Sequence, residues 1–551
     1  MLAGRPRGSL GPSVSAVNRD LLRDLGQKRN QDDRHQADRH RDDRHQDDRD
    51  GRDGRDDIPD DRAGLPDDLG RDIGLETSQD VGQNAGSGNG QDAGRGSRGS
   101  RRGLRPDLYA AGAAVLLFAA AVVVGHILEN TYGNLHLAWA PLYAWWSPQV
   151  GPGTPAAITV AVAVIAYGPS LAARLPWRAL VPVTWFVAMA WTWSLALIDG
   201  WYYGIERRLT TRYEYLTVID RFDNIGATLR GFTQHILIDS PDHWPPHIAG
   251  HPPAATLTFV WLDRIGLGGG GWAGVFCITV GASAAAAVLI AVRSLADETL
   301  ARRAAPFVAL APAAVWVGTS ADGYFAAVAA WAVALLALAA TGGRRVPAFI
   351  YGFGSGLLLG FTVYLSYGLT LFAITAAAVL LLTWRRWPPT LLLPLLAGAA
   401  VAPVAFTLAG FNWWEAYHLL VERYYQGAAS IRPYWYFVWA NLACTVLLVG
   451  LAGVTGLRRT LATAPSAIRR LRTGTPTTTD RLLGLVLAGF LMVLVADLSG
   501  MSKAETERIW LPFAFWLLPA TALLPRGGQR GWLAAQVTVA LTVNHLFHTG
   551  W

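Results

Sequence analysis

YAAGAAVLLFAAAVVVGHIL, Tyr109 to Leu128, decides the fold class. The stretch carries no formal charge, and Ala, Val and Leu dominate it. An α-helix of this length matches the roughly 30 Å hydrocarbon core of a bilayer. The chain start, MLAGRPRGSL, lacks the apolar region of a secretory signal. The segment therefore reads as a membrane anchor.

The pattern recurs toward the C-terminus. We read spans at 108–128, 156–173, 179–198, 271–293, 306–319, 324–341, 347–365, 368–384, 389–410, 436–456, 482–497, 509–525 and 531–548. The expected fold class is all-α. Residues 108–551 form a polytopic transmembrane helical bundle of about thirteen spans. Cys277 and Cys444 both lie within apolar segments, which argues against a structural disulfide.

Toward the N-terminus the composition changes. Residues 1–107 read as a disordered, charged cytoplasmic tail. Residues 30–62 repeat a unit of alternating Asp and Arg with almost nothing apolar, so burial cannot offset the entropy of ordering. His35, His40 and His45 recur there, but no folded scaffold would fix a metal geometry. Residues 82–103 are a Gly/Ser/Arg linker. Arg98, Arg101, Arg102 and Arg105 then abut the first span and suit anionic lipid headgroups. The formal charge of +7 comes almost wholly from Arg and is distributed by topology, so no nucleic-acid partner is expected.

Charge orients the bundle. With the tail inside, Arg174/Arg178, Arg293/Arg302/Arg303, Arg344/Arg345, Arg385/Arg386, Arg458 through Arg481, and Arg526/Arg530 all fall in cytoplasmic connections. The expected localisation is the plasma or inner membrane, multi-pass, with the C-terminus outside. The external loops are 129–155, 199–270, 411–435 and 498–508, together with the tip Thr319–Gly323. They are aromatic and mixed in charge. Span interiors hold essentially no charge, whereas Glu129, Asp199, Asp322, Asp497, Glu505, Glu507 and Arg508 cluster at outer ends. Ion-coupled transporters tend to place such groups near the midplane. Groups at the interface suit an enzyme acting on a lipid headgroup.

Three constellations could carry chemistry. WPPHIAGHPP, Trp244 to Pro253, holds His247 and sets His251 before two prolines that fix an extended turn. SADGYF, Ser320 to Phe325, is a hairpin tip where Asp322 serves as a ligand or as part of a helix cap. SKAETERIWLPF, Ser502 to Phe513, crowds Lys503, Glu505, Glu507 and Arg508 into one short loop, either for phosphate or as surface ion pairs. No P-loop, dinucleotide glycine motif, cysteine zinc site or G-x-S-x-G elbow is present.

On W-x-x-H-x-x-G-H-P-P, the SADG tip and E-x-E-R-I-W-L-P-F, the chain resembles the GT-C superfamily of membrane glycosyltransferases over residues 108–525. Within it the chain resembles actinobacterial members related to protein O-mannosyltransferases and polyprenyl-phosphate-sugar mannosyl- and arabinosyltransferases. The resemblance implies transfer of a sugar from a polyprenyl-phosphate donor to an extracytoplasmic acceptor. It also implies an acidic base in the first external loop. There the only carboxylate is Glu129; Glu214, Asp220 and Asp223 in the second loop are alternatives. The expected catalytic set is Glu129, Glu214, His251 and Asp322. His247, Arg264, Lys503, Glu507 and Arg508 are expected to bind substrate, and Asp322 is the place for a possible divalent metal ion. A transporter or flippase, or a non-catalytic scaffold, is the competing class.

Overall fold

The computed structural model describes residues 92–342, 345–388 and 390–550. The expectations for the tail before Asp92, including its histidine repeat, lie outside the described residues, as do the side chains of Arg98, Arg101 and Arg102. The described chain is almost entirely helical. Eight helices are long and apolar enough to cross a membrane, which makes this a multi-pass membrane protein. We number them α1 (Gly103–Tyr132), α2 (Thr154–Arg174), α3 (Trp177–Asp199), α4 (Gly269–Leu295), α5 (Ala321–Thr341), α6 (Arg345–Leu365), α7 (Tyr434–Thr473) and α8 (Thr478–Leu498). The helix that includes α1 starts earlier, at Asp92, inside the segment read as linker.

These eight account for eight of the thirteen expected spans. Four of the other five are short or broken, and the fifth is less apolar. Residues 306–319 follow Pro306 in the helix Glu298–Ala309 and form only the turn Ala314–Val317. Residues 368–384 begin with the 3-10 stretch Tyr367–Leu371, and 509–525 break into Leu511–Ala514 and a second 3-10 stretch. Leu392–Leu408 bends by 79° into Trp413–Gln426, a pair that adds a ninth span if counted as one. Gln529–Leu546 carries polar residues at both ends and falls below the apolar threshold of the eight. Apolar composition does not separate a spanning helix from irregular backbone buried in protein.

Irregular backbone inside a bundle must find its hydrogen bonds among neighbours. Gln536 supplies two, its Nε2 donating to Phe307 O at 2.8 Å and Leu310 O at 2.9 Å. Trp191 Nε1 donates to Ala311 O at 3.1 Å, and Ala313 N donates to Leu448 O at 3.0 Å. Gly450 kinks α7 at φ 68°, and a Cβ there would lie 2.9 Å from Gln536 Cγ.

The Ala-rich α5 lies at the centre, with 16 of its 21 residues buried. Small residues let helix backbones approach closely where lipid supplies no hydrophobic drive. Along α6 the glycines Gly352, Gly356 and Gly360 recur every four residues against Leu392–Leu408. A Cβ on Gly356 would meet Leu395 O at 2.0 Å, and one on Gly398 would meet Phe353 O at 2.2 Å. This ladder fixes the bent pair, and hence Trp413–Gln426, against the bundle. The first loop closes on the C-terminus through an antiparallel pair, Ala144–Trp146 with Phe547–Thr549, in which Trp145 faces His548.

Candidate functional site

The second external loop folds into short turns that deliver two side chains to one spot. Glu214 sits in extended backbone at the start of a 3-10 helix, Tyr215–Phe222. His247 lies in the single turn Pro246–Gly250, started by proline. Glu214 Oε1 is 2.8 Å from His247 Nδ1, and both side chains are nearly buried. Arg508, on the short helix Thr506–Ile509, donates from Nη2 to His247 Nε2 at 3.4 Å. Arg508 Nη1 donates to Asp322 Oδ2 at 2.5 Å. Asp322 lies in the first turn of α5, where the helix dipole favours a carboxylate, and Ser320 caps that turn. Glu214, His247, Arg508 and Asp322 thus form one continuous buried chain.

Glu505 joins from the side, its Oε2 3.5 Å from Arg508 Nη2. Three carboxylates, Asp322, Glu505 and Glu214, therefore act on one guanidinium. The pole is acidic in balance. His251 holds extended backbone before Pro252 and donates from Nδ1 to His247 O at 2.7 Å. Burial pushes its imidazole down to about 4, so it stays neutral at physiological pH.

A cavity of about 740 Å³ opens over this pole. His247, His251, Asp322, Glu505 and Arg508 line one end. Tyr367, Trp413, Tyr417, Tyr424, Trp510 and Phe513 wall the rest. At the rim, outside the lining itself, Lys503 N donates to the Tyr424 hydroxyl at 2.9 Å and Arg432 Nη1 donates to Lys503 O at 2.8 Å, while Lys503 Nζ donates to Ala429 O at 2.8 Å. Burial and then the neighbouring Arg432 charge lower the Lys503 ammonium. Backbone carbonyls of Ala429, Leu135 and Lys503 hold the two neighbouring cations in place.

The structure brings together His247, His251, Asp322 and Arg508 at the cavity, with Glu214 behind His247. Lys503 stands at the rim. Glu507 is fully buried and off the wall, where its Oε1 accepts from Tyr143 N at 2.9 Å and ties the first loop to this turn. Two expected residues are elsewhere. Glu129 folds its own loop, its Oε2 accepting from Leu135 N at 2.8 Å and His136 N at 3.1 Å. Arg264 donates to Phe222 O and Asp223 O at 2.9 and 3.0 Å and pins the second loop. Asp220 and Asp223 are exposed and off the cavity. Among the described residues no group of three or more His, Cys, Asp or Glu is arranged to hold a metal ion, and Asp322 is paired with Arg508.

Sequence reasoning missed the cavity role of Glu505, the aromatic wall and Arg432. The E-x-E-R spacing held a signal for Glu505, since positions 505 and 508 fall on neighbouring turns of a helix. The wall comes from three separate segments, and only the fold assembles it.

No protein-family model and no curated protein matches the chain. Three solved structures of an Archaeoglobus fulgidus oligosaccharyltransferase are distantly similar. The complex with zinc and sulfate has a TM-score of 0.34 at 16% identity, covering 66% of this chain and 51% of that one. The complex with an inhibitory peptide and a dolichol-phosphate has a TM-score of 0.35 at 14% identity, covering 63% and 50%. The form tethered to an acceptor peptide has a TM-score of 0.36 at 13% identity, covering 70% and 55%. The chain spans about half the length of these structures. Likeness this distant fixes neither family nor substrate.

Proposed function

We propose that the chain is an integral membrane glycosyltransferase of the GT-C type, moving a sugar from a polyprenyl-phosphate donor to an extracytoplasmic acceptor. One observation carries the reading: a large cavity joins an acidic, histidine-bearing pole to an aromatic wall, with the cations Lys503 and Arg432 packed beside that wall. Each part fits one part of the donor. Aromatic faces suit a prenyl chain or the apolar face of a sugar ring. The rim cations Lys503 and Arg432 suit a phosphate as negative charge develops on it. The acidic pole suits the positive character of the anomeric carbon and an incoming hydroxyl. Arg508 then serves mainly to hold Asp322 and His247 in place.

The orientation supports an external site. α5, α6 and α8 each present one end to the cavity, at Asp322, beside Ser366, and at Val495 and Ala496. Their other ends carry Arg344, Arg345 and Arg481. The positive-inside rule puts those arginines in the cytoplasm and the cavity outside. Membrane lipids surround the bundle, and the acceptor is a cell-envelope glycan, lipid or protein.

The test is incubation of purified protein in lipid nanodiscs with radiolabelled polyprenyl-phosphate hexoses and pentoses plus a cell-envelope extract. At least one donor should pass its label to an extract component, and the Asp322→Asn variant should lose at least about a hundredfold in rate. Absence of transfer from every donor, with substrate-dependent flux into vesicles instead, favours a transporter and overturns the reading.

A further inference from the structure

We infer that Glu505 is the proton acceptor of the transfer, the group that takes the proton from the incoming hydroxyl. The inference rests on the glycosyltransferase reading. It starts from the carboxylates the cavity offers. Among the described residues lining it, only Asp322 and Glu505 carry one. Asp322 is 5% exposed, and Arg508 Nη1 holds its Oδ2 at 2.5 Å. Burial and this tight pair keep Asp322 engaged with Arg508 rather than open to an incoming hydroxyl. Glu214 is 6% exposed and engaged by His247 at 2.8 Å. Glu507 lies off the wall, and Glu129 caps a turn elsewhere. Glu505 differs on each count. Its side chain is 25% exposed, and its contact with Arg508 is long at 3.5 Å. It can reach a ligand and release the guanidinium without breaking a tight pair.

The backbone supplies a second, independent argument. Ala504 and Glu505 both adopt left-handed conformations, at φ 80° and φ 61°. Neither is glycine, and each such residue costs on the order of 1–3 kcal/mol. The strain sets Glu505 at the start of Thr506–Ile509, where its own carbonyl accepts from Arg508 N and Ile509 N. A glycine would adopt this geometry without strain. A glutamate there at that cost points to a use for its side chain.

The step balances. The acceptor oxygen bonds to the anomeric carbon while the bond from that carbon to phosphate oxygen breaks. The bonding pair leaves on the polyprenyl phosphate, and the hydroxyl proton passes to the Glu505 carboxylate. Tyr143, Tyr213 and Tyr424 line the cavity with Glu505 and offer hydroxyls to orient the acceptor.

The experiment compares wild type with Glu505→Gln and Glu505→Asp, using the radiolabelled polyprenyl-phosphate sugar that wild type turns over. Glu505→Gln keeps shape and an acceptor for Arg508 but loses basicity. It should lower kcat by 100-fold or more while the donor KM stays within about threefold, and it should lose the acidic limb of the kcat–pH profile. Glu505→Asp should keep that limb with a smaller loss of kcat, and it serves as the foldable control. A Gln variant that retains more than a tenth of wild-type kcat, or keeps the acidic limb, overturns the assignment alone. An Asp variant without the limb does so too. If wild type transfers no sugar from any donor, the glycosyltransferase reading fails and the assignment falls with it.

Discussion

At the scale of single residues, the site is a set of charges that each other's company makes tolerable. Glu507 illustrates the cost. Burial pushes its carboxyl up to about 7, with the nearby Glu505 charge adding to the rise. The folded protein therefore holds this proton more tightly than the unfolded chain, whose glutamate titrates near 4.5. Stability from this group is full below about pH 4.5 and is lost as pH rises through about 7, by roughly 3 kcal/mol in all. Glu507→Gln keeps an acceptor for Tyr143 N–H and removes the titration. Its melting temperature relative to wild type should climb from pH 5 to pH 8 and level off above. A constant difference across that range would show that Glu507 does not titrate in the folded state. The sequence made His247, His251, Asp322 and Arg508 legible because prolines, a hairpin tip and a charge cluster mark them locally. Glu129 and Arg264 bond to backbone away from the cavity; a side chain that holds a loop and one that faces a substrate look alike until the chain is folded.

At the scale of elements, the aromatic wall depends on glycine packing some distance from it. α6 and Leu392–Leu408 approach so closely that added side-chain atoms meet backbone. The 79° bend then carries Trp413, Tyr417 and Tyr424 to the cavity. Gly356→Val should lower stability in detergent by about 3 kcal/mol and blunt donor binding, since the obstacle is backbone that cannot turn aside. Gly112→Val, where nothing lies within 4 Å, is the matched control and should change little. Equal melting temperatures for the two variants would contradict the packing argument. Eight spans were readable because long apolar runs give whole helices, even where Pro169 or Pro182 lies within them. Four of the five that differ contain Pro306, Pro312, Pro403, Pro512 or the polar Gln536, and irregular backbone such as that at Phe307 and Leu310 is satisfied by tertiary partners that no local pattern encodes.

At the scale of the whole molecule, the two ends of the bundle are chemically opposite. One end is held by arginines on carboxylates. Arg459 Nη2 meets the fully buried Asp107 at 2.6 Å, and Arg470 Nη2 meets Asp480 at 2.6 Å. The other end opens into the cavity, with its acidic pole and cationic rim. The apolar bundle between them fixes the depth of that cavity against the membrane. On the proposed function a polyprenyl phosphate enters this cavity. The most direct measurement is photocrosslinking of a diazirine-bearing polyprenyl phosphate to the protein in nanodiscs, read by peptide mapping. Labelling should fall on 366–371, 413–424 and 495–513, compete with unlabelled polyprenyl phosphate, and drop severalfold in the Arg432→Ala, Lys503→Ala double variant. Labelling confined to other faces of the bundle, or indifferent to both competitor and variant, would contradict the claim.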